Sequence, residues 1–286
     1  ELDHPFMPRL YATFRDASYI YLLTDYYSGG DLLGMTNAHF PLSCDAVQFY
    51  AANVVVIFDY LHHRHIVFRD LKLENVMIDA HGYLNVIDFG LAKVLPPEGR
   101  TYTICGTPMY IAPEVIQKKG HGGEADWWTL GVLVYEMMMG FTPFSSEGDV
   151  DSARQLFRNI CDPTYTYPFS SSVNPRARSF VRQLLQHSPA ARIGFQMFND
   201  AIFIKQHELF DGFDWVGLLQ RRLPPPFPAE APLGDTNRRA SVTNGFSLNV
   251  QKTAAPYKPE VMTAGCALCP SKYEAEVWHD VFAGDL

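Results

Sequence analysis

The strongest constraint on this chain is one short run, Phe68-Arg69-Asp70-Leu71-Lys72-Leu73-Glu74-Asn75, with Asp88-Phe89-Gly90 thirteen residues after Asn75. An isolated Arg-Asp-x-Lys reads as a solvated loop between strands. The complete set, joined to Ala112-Pro113-Glu114 downstream, offers a carboxylate, a cation and two hard-oxygen donors in fixed order. Phosphoryl transfer asks a protein for just these parts, because it needs an oriented nucleophile, a neutralised phosphate and ligands for Mg²⁺ rather than covalent help. On that chemistry Asp70 accepts the proton of a hydroxyl, Lys72 neutralises the moving phosphate, and Asn75 with Asp88 holds Mg²⁺.

The surrounding sequence supplies a scaffold. Arg9–Phe14 and Tyr19–Thr24, rich in β-branched and aromatic residues around the turn Arg15-Asp16-Ala17-Ser18, predict a hairpin. Gly29-Gly30-Asp31-Leu32-Leu33 opens a short helix. Ser43-Cys44-Asp45 reads as an N-cap with an acidic first turn, and Ala46, Phe49, Tyr50, Val54, Ile57, Phe58 and Leu61 recur at the spacing of a buried helix. His62, His63 and His65 close it; basic residues suit a helix C-terminus, and no carboxylate or cysteine at ligand spacing favours metal. Val76–Ile78 and Tyr83–Ile87 predict two short strands about Asp79-Ala80-His81-Gly82 that set Asp88 opposite Asn75. Helices are expected over Trp127–Met139 and near Ser152–Ile160, Arg176–Gln186 and Ile202–Leu209. A chain of 286 residues, 47% hydrophobic, can bury a large core in one or two domains. The net charge of −8 argues against nucleic acid as a partner, no apolar run suggests a membrane span, and five scattered cysteines fit a reducing compartment. A soluble protein, cytoplasmic and also nuclear, is the expectation.

The catalytic run, Asp88-Phe89-Gly90 and Gly106-Thr107-Pro108-Met109-Tyr110-Ile111-Ala112-Pro113-Glu114 resemble the eukaryotic serine/threonine protein kinases. Phe-Arg-Asp in place of the commoner His-Arg-Asp is similar to the cyclic-nucleotide-dependent branch of the AGC group. The likeness runs from His4 to about Pro228 and implies an α+β, protein kinase-like fold: residues 1–27 the end of a small lobe and hinge, 28–210 a mainly helical large lobe, 211–286 an AGC-type tail. It implies ATP and Mg²⁺ as cofactors. Thr24 would be the gatekeeper, Asp25 to Tyr27 the hinge against the adenine, Met77 its floor, with Asp31 at the ribose and Ile87 beside the nucleotide. Phe89 would stack with Phe68 and Leu10 in a buried column. Thr107 would bond Asp70 and Lys72, Glu114 would pair with Arg192, and Asp126 would hold the catalytic loop from below.

The same resemblance makes Leu91–Thr107 an activation segment whose phosphosite is Thr103, the phosphate gathering Arg69 and Lys93. Asp31, Glu74 and Glu136 would bind substrate arginines, and Ile104, Pro108 and Ile111 the residue after the phosphoacceptor, which favours Arg-Arg-x-Ser/Thr-hydrophobic protein targets. Asn237-Arg238-Arg239-Ala240-Ser241-Val242 echoes such a target, so Ser241 is an autophosphorylation candidate. A cyclic-nucleotide-binding regulatory subunit or domain is the implied partner. The Gly-rich loop, strand lysine and helix glutamate that the family places ahead of the hairpin are not in this sequence, so the isolated polypeptide is expected to be inactive. The alternative is a catalytically inactive lobe serving as a binding or scaffold module, which would not require the Asp70, Lys72, Asn75 and Asp88 quartet.

Overall fold

A computed structural model of the chain describes residues 2–145, 152–195 and 201–227. It is mixed helix and strand with a large helical portion, the α+β class expected. Strands β1 (Leu10–Arg15) and β2 (Ile20–Thr24) form an antiparallel hairpin, Arg15 opposite Ile20 and Leu10 opposite Thr24, with one irregularity between Leu10 and Ala12. Asp16 shapes the turn, its Oδ1 accepting the N–H groups of Ser18 and Tyr19 at 2.7 and 2.8 Å. Among the described residues the hairpin pairs with no other strand, and Leu10, Ile20 and Leu22 stay exposed.

Helix α1 (Leu32–His39) starts where Asp31 Oδ1 accepts the Gly34 N–H at 2.7 Å. Helix α2 (Cys44–His62) starts on Ser43, whose Oγ accepts from Ala46 N at 3.2 Å. Its Val54-Val55-Val56-Ile57 run is poor in helix propensity, yet all four are buried, so tertiary packing decides the local structure. By length and hydropathy α2 could cross a bilayer, but 72% of its 18-residue apolar window is buried in the fold, where that surface is already spent.

Strand β3 (Ile66–Val67) leads into the catalytic run and pairs with β6 (Lys93–Val94). Strands β4 (Val76–Ile78) and β5 (Leu84–Val86) pair Met77 with Asn85 about a turn built by Asp79, whose Oδ1 accepts from His81 N and Tyr83 N at 2.8 and 3.1 Å. Helix α3 (Pro113–Ile116) precedes α4 (Gly123–Met139), which ends on Gly140 at φ 77°, a left-handed stop that a side chain would strain. Helices α2, α4 and α6 (Pro175–Leu184) pack together, and Tyr50, Phe58, Phe68, Trp127, Trp128 and Phe180 form the fully buried centre. Truncating such an aromatic costs about 3–5 kcal/mol.

Helix α5 (Ser152–Cys161) matches its expectation. The single helix expected over Ile202–Leu209 is instead α7 (Ile202–Lys205) and a separate turn, Glu208–Phe210. His207 causes the break: its Nδ1 accepts the Leu209 N–H at 3.0 Å and caps the new turn. After α8 (Trp215–Leu219) the chain lies against the β4–β5 turn, with Tyr83 Oη donating to Leu223 O at 2.6 Å and Phe227 stacked on His39 at 4.3 Å. Gly82 permits that approach, because an added Cβ would stand 2.7 Å from Phe227 O.

Candidate active site

The catalytic run rests on one carboxylate. Asp126, in the first turn of α4, accepts the backbone N–H of Phe68 on Oδ2 at 2.9 Å and that of Arg69 on Oδ1 at 2.8 Å, as expected of it. Sequence reasoning missed a third partner. His62, the last residue of α2, approaches Oδ2 through Nε2 at 2.8 Å while its Nδ1 is buried with no partner among the described residues. A carboxylate only accepts, so the proton sits on Nε2. His62 therefore serves the loop rather than the end of its own helix. Arg69 and Asp88 both take left-handed backbone angles, φ 72° and 63°, a conformation that costs a non-glycine residue about 1–3 kcal/mol and persists only where neighbours hold it. These two residues bracket the functional groups.

Above that base, Thr107 Oγ1 donates to Asp70 Oδ1 at 2.8 Å and accepts from Lys72 Nζ at 3.1 Å, so one hydroxyl joins the carboxylate to the cation. Lys72 Nζ lies 3.6 Å from Asp70 Oδ2. Asn75 turns its Nδ2 inward, to Asp70 O at 2.9 Å and Oδ2 at 3.0 Å, which leaves its carbonyl oxygen as the end available to a cation. The Ile87 N–H donates to Asn75 O at 2.9 Å, so the backbone brings the exposed Asp88, the next residue, beside Asn75. Asp88 Oδ1 accepts from Gly90 N at 3.1 Å. Two hard-oxygen donors, the buried Asn75 amide and the exposed Asp88 carboxylate, suit Mg²⁺, which takes one or two protein ligands and completes its shell with phosphate and water. Phe89 meets Phe68 edge-on at 5.3 Å. Leu10 does not join that column: it is 53% exposed on β1, on the uncovered hairpin.

The activation segment is fastened mainly at Gly99–Thr101. Thr101 and His121 exchange backbone hydrogen bonds, both 2.9 Å, and Arg100 Nη1 reaches Gly120 O at 2.9 Å and Glu124 Oε1 at 3.3 Å. Glycines allow the close fit: a Cβ on Gly120 would stand 2.7 Å from the Tyr102 ring, one on Gly122 2.8 Å from Gly99 O. Thr103 is exposed. Lys93, which the resemblance assigns to a phosphate on Thr103, donates from Nζ to the buried Thr101 Oγ1 at 2.8 Å, two residues before Thr103. Arg69 gives Nε to Leu91 O at 2.6 Å, but its Nη1 is buried without a partner among the described residues.

On the nucleotide side, Met77 bridges to Asp31 through the backbone and is half-buried, as is Ile87. Asp25 accepts from Arg9 N and from Tyr11 Oη, both at 2.7 Å, which ties the hinge to β1. Burial, then the Asp25 charge, pushes the Tyr27 phenol up. Thr24 is exposed at the end of β2 rather than walled in, because nothing described covers that sheet. On the substrate side, Tyr110 Oη hydrogen-bonds Glu136 Oε2, while Glu74 is exposed. Burial raises the Glu136 carboxyl and the Glu74 charge adds to the rise, against the Tyr110 bond that lowers it. Ile104 and Pro108 are half-buried, but Ile111 is only 3% exposed, spent on the core rather than open to a ligand. Ser241 lies outside the described residues. Deeper, Arg192 grips Glu114 with Nη1 and Nη2 at 2.7 and 3.0 Å, the expected pair, and also reaches Glu124 O at 2.6 Å.

Comparison with known proteins agrees with this geometry. The protein kinase domain family matches residues 1–204. A cGMP-dependent protein kinase of Toxoplasma gondii is 40% identical over 253 residues, 88% of this chain and 24% of that protein. A cAMP-dependent protein kinase catalytic subunit of Arthrobotrys oligospora is 36% identical over 238 residues, 82% of this chain and 44% of its own length. The human cAMP-dependent protein kinase catalytic subunit PRKX is 37% identical over 257 residues, 90% of this chain and 68% of its own. The chain thus spans less than half the length of the first two and about two thirds of the third.

Proposed function

Because this chain belongs to the protein kinase domain family, we propose that it is the catalytic part of a serine/threonine kinase that moves the γ-phosphate of ATP to protein hydroxyls. The observation that carries the reading is the Thr107 hydroxyl shared between Asp70 and Lys72. Asp70 orients the acceptor hydroxyl and takes its proton, Lys72 meets the charge on the transferred group, and Thr107 keeps the two in register. Asn75 and Asp88 would hold Mg²⁺, which when bound neutralises the phosphates and fixes their orientation.

The preferred target is Arg-Arg-x-Ser/Thr-hydrophobic. The Glu74 charge adds to the rise that burial imposes on the Glu136 carboxyl, and a guanidinium between them would act in the opposite direction. Asp31 adds a carboxylate at the mouth, with Oδ1 already used by Gly34 N. Phosphate on Thr103 activates by drawing Arg69, next to Asp70, to a charge it now lacks. Regulation by a cyclic-nucleotide-binding subunit or domain, and autophosphorylation at Ser241, complete the reading.

The test is radiolabelled transfer from ATP to Arg-Arg-x-Ser-hydrophobic, acidic and proline-directed peptides, using protein expressed from the complete transcript. Transfer to the basic peptide, reduced by about 10²–10⁴ in Asp70→Asn, supports the proposal. Equal rates in the wild type and Asp70→Asn, or preference for another peptide, overturn it. Isolated residues 1–286 are expected to transfer no phosphate; label in the peptide would show the hairpin suffices to hold ATP.

A further inference from the structure

Three basic groups converge beneath the activation segment, and one of them has no assigned role. Arg69 is 6% exposed, lined up on Leu91 O through Nε, with its buried Nη1 unpartnered among the described residues. Lys93 holds Thr101 Oγ1 at 2.8 Å. His121, 2% exposed, lines with Arg69 a small pocket also bordered by Cys105, Asp126 and Thr129.

Backbone pairing fixes how these relate to Thr103. Thr101 and His121 exchange both N–H···O bonds at 2.9 Å, and residues directly opposed across an antiparallel bridge carry their side chains on one side. Two residues beyond the buried Thr101 the chain reaches the exposed Thr103, the position that returns to the same side where a backbone runs extended. A diagonal neighbour stands about 7–8 Å away, within reach once a phosphate lengthens the side chain.

We infer that His121 is a third cationic contact for phosphate on Thr103, beside Arg69 and Lys93, and that it takes up one proton from solvent when the phosphate arrives. The inference rests on the reading of Thr103 as a phosphosite. In the unphosphorylated chain burial, and then the Arg69 charge, hold the imidazole down to about 4, so it is neutral. Lys93 pushes the same way, while Asp126 and Glu114 oppose. A group carrying nearly two negative charges reverses that balance.

The experiment is a ¹⁵N-histidine NMR titration of the full chain made in two forms, with threonine or with co-translationally incorporated phosphothreonine at 103. His121→Gln assigns the signal, and His121→Tyr does so if the first variant fails to fold. The midpoint is expected near 4 without phosphate. With phosphate it is expected at least one pH unit higher, a tenfold or greater change in proton affinity. Midpoints within half a unit of each other overturn the inference. Peptide phosphorylation by the complete protein, with threonine or phosphothreonine at 103, separates this contact from the switch. Equal rates with a raised His121 midpoint sink the activating role of Thr103 and leave the contact standing. Faster transfer with an unmoved midpoint does the reverse.

Discussion

Replacing Asp126 by Asn tests the base of the site most directly. The carboxylate accepts three donors, Phe68 N–H and His62 Nε2–H on one oxygen and Arg69 N–H on the other. An amide has one oxygen. Placed to keep Phe68 and His62, it turns its NH₂ toward the Arg69 N–H and leaves a buried backbone donor unsatisfied, at about 1–3 kcal/mol. The surviving bonds lose their charge assistance, about 1 kcal/mol each, and the relief of no longer burying a charge offsets part of that. The net expectation is about 2–4 kcal/mol. At roughly 2–4 °C per kcal/mol for a domain of this size, the melting temperature falls by about 4–16 °C. Calorimetry reads the fall, and hydrogen exchange should show the Arg69 amide opening while the core of α2 stays protected. A melting temperature within 1 °C of wild type, with the Arg69 amide still slow, would refute the reasoning, because the carboxylate would then not be what holds the loop.

Three further outcomes follow from other contacts. Gly123→Ala places a Cβ about 2.9 Å from the His62 ring and is expected to destabilise by about 1–3 kcal/mol in chemical denaturation, although its backbone angles suit alanine. His121 is neutral in the fold down to about 4 and titrates near 6.5 when unfolded, so the unfolded chain binds more protons between those values. Stability from this group is complete above pH 6.5 and drains away as pH falls toward 4, on the order of 3 kcal/mol in all, a slope that His121→Gln should flatten in pH-dependent denaturation. Thr107→Val keeps the shape but removes the hydroxyl between Asp70 and Lys72, so peptide phosphorylation by the complete protein should lose about 10–100-fold in kcat with little change in the KM for ATP.

Much of this arrangement was legible because it is local or motif-bound. The Ser43 cap, the β4–β5 hairpin and the order Asp70, Lys72, Asn75, Asp88 are written in short stretches, and the Thr107 and Arg192 contacts followed from the family resemblance. What escaped are contacts between positions with no motif. Nothing in His62-His63-Arg64-His65 says which ring turns inward; that depends on Gly123 leaving room for it. The Lys93 bond to Thr101 escaped too, and the two-residue strands β3 and β6 that hold Lys93 carry almost no sequence signal. Leu10 and Ile111 exchanged expectations, one uncovered and one buried, since exposure belongs to neighbours rather than to residue type.

The first turn of α4 deserves a last consequence. Within five residues it clasps the activation segment through Glu124 Oε1, the catalytic run through Asp126, Arg192 through Glu124 O, and makes way for the end of α2 at Gly123. Segments distant along the chain thereby share one point of attachment. Their amides should exchange as a single cooperative unit with a common opening free energy, and damage to that turn should loosen all of them at once rather than one at a time.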